Sequence, residues 1–218
     1  MQQLRERWQA LMERLGGSPA AEGIFAVIVD SYSGYGRYYH NLNHLANGFA
    51  ELAAVAGELA DREAVEFALW FHDIVYVPGN KYNEVISAAV AYTYALELTG
   101  CTVFAGKVRR LVEATQHDAD AGLDADTQFL LDADLAILGY PWPQFAAYSD
   151  GIRREFFFLS DNAYRAGRRA VLQKFLNRPY IYHTEFFRAK YENCARANIA
   201  RLLADITSLS PFFRGEGE

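Results

Sequence analysis

Apolar residues recur every three or four positions along most of this 218-residue chain, which constrains the possible folds more than any other feature. In "LRERWQALMERL", Leu4, Trp8, Leu11 and Leu15 share one face of a helix, and two glycines end the run. The period-two alternation that is typical of half-buried strands is absent. The sequence therefore predicts an all-α fold, arranged as a single helical bundle.

The helices can be bounded approximately from the same spacing and from Gly, Pro and Asn residues between them. We expect one domain over residues 1–218, with a core at about 37–140 and C-terminal helices at about 145–209. "HDADAGLDADT", residues 117–127, follows the predicted helix at 103–117 and is predicted to be a polar loop. The predicted helices cover about 4–15, 44–59, 63–76, 84–98, 103–117 and 127–138, with two or three more after 145, interrupted near 177–179.

Composition excludes several classes of protein. The net charge is -6 and no block of like charge stands out, so we expect no extended nucleic-acid surface. No uncharged run approaches the roughly 20 residues of a membrane helix, which predicts no membrane partner. Two cysteines, Cys101 and Cys194, fit a reduced compartment and predict a cytoplasmic protein. A homodimer is compatible with these features.

The segment "ALWFHDIVY", residues 68–76, places an imidazole and a carboxylate inside an apolar stretch. His72 continues the helical stripe of Val65, Ala68 and Leu69, and Asp73 lies about 100° further round the helix. Burial of an ionised carboxylate lowers the stability of a protein by roughly several kcal/mol unless the group is paired or bound to a metal. The pair therefore marks a candidate site.

Two other helices show the same anomaly. Asp134 lies on the apolar stripe of the helix at 127–138, where Asp132 is placed less centrally, and His44 lies at the edge of the stripe of the helix at 44–59. Two imidazoles and two carboxylates suit a first-row divalent metal that keeps positions open for water and substrate. Taken singly, each has a structural alternative: a hydrogen-bonded core histidine, or an aspartate paired with Arg109 or Arg110.

Four segments of the chain resemble, in order, the HD superfamily of metal-dependent phosphohydrolases. His44, His72-Asp73 and Asp134 follow the order of its H…HD…D signature. "RYYHNLNHL", "ALWFHDIVY", "NEVISA" and "LDADLAILG" are similar to motifs of a subgroup with a Tyr-His-Asn-Leu-x-His first motif. Residues 153–182 resemble the C-terminal region of that subgroup, so the resemblance covers most of the chain and implies an HD-type helical domain.

The resemblance implies that His44, His72, Asp73 and Asp134 are metal ligands. It implies one divalent ion per chain, which could be Mn, Mg, Co, Ni, Zn or Fe. HD enzymes with two metals usually supply extra histidines between the second and third motifs, and this chain offers one candidate there, His117.

Further residues are candidates for catalysis and substrate binding. Asp73 could also orient the nucleophile, and Glu84 could act as the base or hold the attacking water, although a helix N-terminal charge is the simpler interpretation of Glu84. His117 is the third catalytic candidate. We expect substrate contacts from four residues, for which loop packing or a solvated surface is the alternative: His40, Lys81, Arg153 and Arg154.

The leading functional prediction is a hydrolase that cleaves a phosphate ester with metal-activated water. Nucleotides and small phosphomonoesters are the expected substrate classes. An HD-fold di-iron oxygenase is a second hypothesis that needs more ligands. A third is a non-catalytic helical binding module in which the same side chains only stabilise the core.

Overall fold

The computed structural model describes residues 1–117 and 122–208. Within these ranges all regular structure is helical, which confirms the all-α prediction. The predicted loop at 117–127 lies partly outside the described residues. The helices are α1 (Gln2–Arg14), α2 (Ala21–Tyr32), α3 (Leu42–Ala54), α4 (Arg62–Phe71), α5 (Asn83–Thr99), α6 (Thr102–Ala114), α7 (Ala125–Leu135), α8 (Trp142–Glu155), α9 (Asp161–Leu176) and α10 (Glu185–Ser208), with a 3₁₀ helix at Ala136–Gly139.

The chain divides into two compact units, Met1–Ala136 and Ile137–Glu218. The first unit contains α1 to α7, and the second contains α8 to α10. This division does not test the prediction of one domain over residues 1–218, which stays a prediction.

Helix α4 is the centre of the first unit. Every residue from Ala64 to Phe71 is buried, and α4 packs against α1, α3, α5, α6 and α7. Around it lies an aromatic cluster in which Trp70 meets Trp8 edge-on at 5.6 Å between ring centroids and Phe49 at 4.6 Å. Such pairs add stability beyond their buried area, so α4 is held rigidly from several sides.

Side-chain caps fix the start of three helices, α3, α4 and α7. Asn41 Oδ1 accepts the N–H of Asn43 at 2.9 Å, and Asp61 Oδ1 accepts that of Ala64 at 3.0 Å. Asp124 Oδ1 accepts the N–H of Thr127 at 2.8 Å. Each cap satisfies a backbone donor that the first helical turn leaves without a partner.

Helix α4 ends at Phe71, whereas the sequence predicted a helix to about Tyr76. The following backbone is bonded to remote side chains instead of continuing the helix. Arg37 donates to the carbonyls of Asp73 and Ile74, at 2.7 and 2.9 Å. Because these carbonyls point to a guanidinium, the chain leaves α4 as a turn.

Two side chains of α5 hold the extended segment after this turn. Ser87 exchanges hydrogen bonds with both the N–H and the carbonyl of Val75, at 3.1 and 3.2 Å. Asn83 does the same for Val77, at 3.0 Å each. The Asn and Ser of "NEVISA" therefore act as anchors for the segment that follows His72 and Asp73.

The second unit is built round α10. Glu192 accepts the backbone N–H groups of Ile181 and Tyr182, and Asn198 donates to the carbonyls of Leu138 and Tyr140. These bonds satisfy the irregular backbone that precedes α8 and α10. The predicted break near 177–179 lies in the loop between α9 and α10.

In the described part of the chain, the helices are too short or too polar for any of them to cross a bilayer.

Candidate metal centre

Four side chains from three helices meet inside the first unit. His44 lies in the first turn of α3, directly after the Asn41 cap, and Asp134 lies in the last turn of α7. His72 and Asp73 follow the last residue of α4. All three helices begin with a side-chain cap, which sets the rotation and height at which each donor is presented.

The donor atoms are within hydrogen-bond or near-contact distance of one another. Nε2 of His44 lies 2.9 Å from Nε2 of His72 and 3.2 Å from Oδ1 of Asp134. Nε2 of His72 lies 3.4 Å from the same oxygen and 3.0 Å from Oδ2 of Asp73. Oδ2 of Asp73 is 3.5 Å from His44 Nε2.

This spacing is what a single ion requires of its ligands. Donor atoms about 2.1 Å from one ion lie about 3.0 Å apart at right angles and about 3.4 Å apart at tetrahedral angles. One donor atom each from His44, His72 and Asp134 forms a group within 4.8 Å, and Asp73 adjoins both histidines. The donor set therefore fits a divalent metal in both chemistry and separation.

His72 is oriented for coordination by its second ring nitrogen. Nδ1 lies 2.8 Å from the carbonyl oxygen of Leu69, which can only accept, so Nδ1 carries the proton of that hydrogen bond. The lone pair of Nε2 is then free to face the other donors in the neutral ring. This bond also explains why an imidazole is tolerated on the buried face of α4.

The backbone of Asp73 is held by two residues that the sequence did not single out. The Asp73 N–H donates to the hydroxyl oxygen of Tyr32 at 3.1 Å, and the Asp73 carbonyl accepts from Arg37. Arg37 also lies over the rings of Tyr32 and Tyr76, at 5.0 and 5.5 Å. Nothing in the sequence around Tyr32 indicated this role. Arg37 could have been noticed, because it is the first residue of the "RYYHNLNHL" motif.

Burial and charge act in opposite directions on the donors. Burial disfavours the charged imidazole, but Asp73 outweighs it and raises the pKa of His72 well above its usual value. Burial likewise opposes the charge of Asp73, yet His72 and His40 lower its pKa. For Asp134, hydrogen bonds from His117, His44 and His72 overcome burial and lower the pKa. Both carboxylates are therefore ionised at neutral pH.

His117 is brought to the centre through Asp134. Its Nε2 lies 3.0 Å from Oδ2 of Asp134, the oxygen that does not face His44. His117 has a φ of 55°, and α6 ends at Ala114, short of the predicted end at 117. A left-handed residue ends the helical path, and the chain turns the imidazole towards α7.

Glu84 is half-buried in the first turn of α5. Burial raises its pKa, and the carboxylates of Asp73 and Asp134 contribute to the rise, while His117 opposes it. Its charge therefore interacts with the donor group. Its place in the first turn of α5 also agrees with the simpler sequence interpretation, a carboxylate at a helix N-terminus.

His40 lies beside the centre but outside the helix. Its ring is 4.1 Å from the ring of Tyr76 and 5.8 Å from that of His44, measured between centroids. Lys81 is exposed, with its ammonium 5.0 Å from the ring centroid of Tyr82. Of the four predicted substrate contacts, His40 is thus next to a donor and Lys81 is on the surface.

Arg153 and Arg154 lie on α8, in the second unit. The guanidinium of Arg153 donates to the carbonyls of Phe156 and Leu159 and pairs with Asp161 at 2.8 Å. Arg154 is exposed. The contacts of Arg153 stabilise the end of α8, and its role in substrate binding stays a prediction.

The relative placement of the two aspartates on α7 was predicted wrongly. Asp132, expected to be less central, has 0% of its surface exposed, whereas the side chain of Asp134 is 15% exposed. Both faces of α7 are covered, so an apolar stripe does not separate inner from outer positions. Arg109 pairs with Glu113 and Asp134 with His117, which replaces the alternative pairing of Asp134 with Arg109.

The chain was compared with protein-family models, curated proteins and solved structures, and none matches it. The resemblance to HD phosphohydrolases therefore rests on the motifs quoted above and stays a prediction.

Proposed function

We propose that this protein is a divalent-metal-dependent phosphohydrolase, with His44, His72, Asp73 and Asp134 as the ligands of one ion. The observation that supports this is the set of separations between the two Nε2 atoms and the carboxylate oxygens, 2.9 to 3.5 Å. A histidine that only stabilised the core would need one hydrogen-bond partner, and not three further donor groups at the distances that separate the ligands of one ion.

The chain's own residues then have distinct roles. His44 and His72 form the buried side of the site, and Asp73 and Asp134 its partly exposed side. These four side chains would hold a divalent ion, which would supply a lowered pKa of bound water and polarisation of a phosphoryl oxygen. His117 orients Asp134 through its second oxygen.

Glu84 and His40 complete the proposed machinery. The raised pKa of Glu84 brings it closer to neutrality, where a carboxylate accepts a proton most effectively. His40, next to His44, supplies a ring N–H to a phosphate. Small phosphomonoesters, including nucleotides, are the proposed substrates.

The test combines metal content with a substrate panel. We expect close to one divalent ion per chain after reconstitution, and hydrolysis of a phosphomonoester with at least one of Mn, Co, Ni, Mg, Zn or Fe(II). Asp73→Ala should abolish that hydrolysis while the far-UV circular dichroism stays helical, because one ligand is lost. Asp30→Ala, an exposed carboxylate on α2, is the matched control.

Two other outcomes have defined meanings. No bound metal after reconstitution would refute the proposal and favour a non-catalytic binding module. Two ions per chain would show that the four proposed ligands are not the full set, and the substrate panel would then separate a two-metal phosphohydrolase from a di-iron oxygenase.

A further inference from the structure

A cavity lies in the first unit. It has a volume of about 890 Å³ and is lined by parts of α1, α3 and α4 and by the end of α2. This volume is within the range of small-molecule sites. None of His44, His72, Asp73 and Asp134 lines it. Its charged side chains are Arg7, Arg14, Arg37, Arg62 and Glu66.

Three of these arginines converge on one carboxylate. Glu66 is 3% exposed; it accepts from Arg62 Nε at 2.8 Å, pairs with Arg14, and lies 3.6 Å from Arg7 Nη1. Arg14 also pairs with Glu63 at 2.9 Å. A carboxylate has about four lone-pair positions, whereas each guanidinium has five donors. The cluster therefore has more donors and more positive charge than its carboxylates can match.

The electrostatics of Arg7 agrees with this excess. Burial lowers the pKa of Arg7, Glu66 opposes that effect, and Arg62 and Arg14 lower the pKa further by repulsion. Its distance to Glu66 is longer than a hydrogen bond, and it is held instead over the ring of Phe49 at 4.9 Å. An anion beside Arg7 would offset the repulsion between Arg7 and the other two arginines, and it would accept hydrogen bonds from the Arg7 guanidinium.

The remaining wall of the cavity limits what the ligand can be. Arg37 adds positive charge, but its terminal nitrogens already donate to the carbonyls of His40, Asp73 and Ile74. Leu42, Ala46 and Ala50, at helical spacing on α3, form an apolar strip along the lining. The cavity thus offers a cationic end for an anion and an apolar side for a carbon skeleton.

We propose that this cavity binds a small phosphorylated molecule, with Arg7, Arg14 and Arg62 receiving the phosphate. Phosphate matches the fork geometry of several guanidinium groups at once and carries enough charge to compete with Glu66. The alternative is an ion-pair network that only stabilises the packing of α1 on α4. The proposal does not depend on the function of the metal centre.

Calorimetric titration of the full chain in EDTA tests the proposal, with inorganic phosphate, pyrophosphate and AMP as probes and chloride at equal ionic strength as the reference. EDTA leaves the metal centre with two carboxylates, which repel phosphate. We expect pyrophosphate or AMP to bind at one per chain, and Arg62→Gln to weaken that binding by about 10-fold or more, because a charge-assisted contact is lost.

Arg109→Gln is the matched control, because Arg109 and Glu113 form the same i,i+4 pair as Arg62 and Glu66 but do not line the cavity. It should bind like the wild type. Asp134→Asn should bind the probe with unchanged affinity, which separates the cavity from the metal centre, where loss of a carboxylate would tighten binding. If Arg62→Gln loses its helical circular dichroism, Arg7→Gln replaces it, with the same expected loss.

Several outcomes would overturn the proposal. These are no binding above the chloride reference, equal binding by Arg62→Gln and Arg109→Gln, or tighter binding by Asp134→Asn, which removes a repelling charge from the metal centre. The first two would assign the arginines to packing alone, and the third would place the phosphate at the metal centre.

Discussion

At the scale of single residues, His44 and His40 are separated by one helical turn of sequence but have different surroundings. His44 is buried in α3, with Nε2 at 2.9 Å from that of His72. His40 precedes the helix and packs on Tyr76. We expect His44→Ala to lower metal affinity 10-fold or more, a loss seen even for residues that only support ligands. His40→Ala should retain metal and change turnover or substrate affinity.

Calorimetric titration of metal into the metal-free variants measures this difference. His183→Ala, a histidine in the second unit, controls for the loss of an imidazole. A larger loss of affinity in His40→Ala than in His44→Ala would mean that the first motif contributes its other histidine as the ligand.

At the scale of helices, Asp126 joins three elements of the first unit. Its carboxylate accepts the backbone N–H groups of Ala60 and Asp61, at 2.8 and 3.1 Å, and pairs with Lys107 at 2.7 Å. It is 4% exposed, so α7, α6 and the start of α4 depend on one buried carboxylate.

Asp126→Ala should lower the free energy of unfolding by about 3 kcal/mol, because two backbone donors lose their acceptor and Lys107 keeps only its longer ion pair, to Asp61 at 3.2 Å. Chemical denaturation measures the loss, and Asp30→Ala, on the exposed face of α2, should stay close to wild type. An equal effect of the two substitutions would contradict the role assigned to Asp126.

Most helices and their breaks could be predicted from the sequence, because apolar spacing and turn residues are local, but α2 (Ala21–Tyr32) was not among the predicted helices. The end of α4 could not, since it depends on Arg37 and Tyr32, which are distant in sequence. His72 was conspicuous as a polar residue on an apolar stripe. The burial of Asp132 could not be predicted, because α7 is covered on both faces and its apolar stripe then does not distinguish buried from exposed positions.

At the scale of the whole molecule, stability should depend jointly on metal and pH. The raised pKa of His72 means that its proton stabilises the metal-free protein below about pH 6.5, and this contribution is lost as pH rises through the folded pKa. A metal must displace that proton. Metal affinity should therefore fall as pH falls.

Thermal unfolding at about pH 6 and about pH 8 measures the effect. The same metal concentration is used at both pH values; where it is 100 times the dissociation constant at about pH 8, it contributes about 2.7 kcal/mol and raises the melting temperature of a chain this long by about 5 to 10 °C. The rise should be larger at the higher pH and absent in Asp134→Ala. A rise that is equal at both pH values would exclude proton displacement from His72.

The side chains of His44 and His72 are 4% and 1% exposed, and those of Asp73 and Asp134 are 13% and 15% exposed. The centre is therefore reached past its carboxylates. An approaching phosphate meets negative charge there, whereas a divalent cation is attracted and cancels it. Under the proposed function, binding follows a compulsory order: the ion enters first and the phosphate ester second, and a large excess of ester does not replace the missing ion.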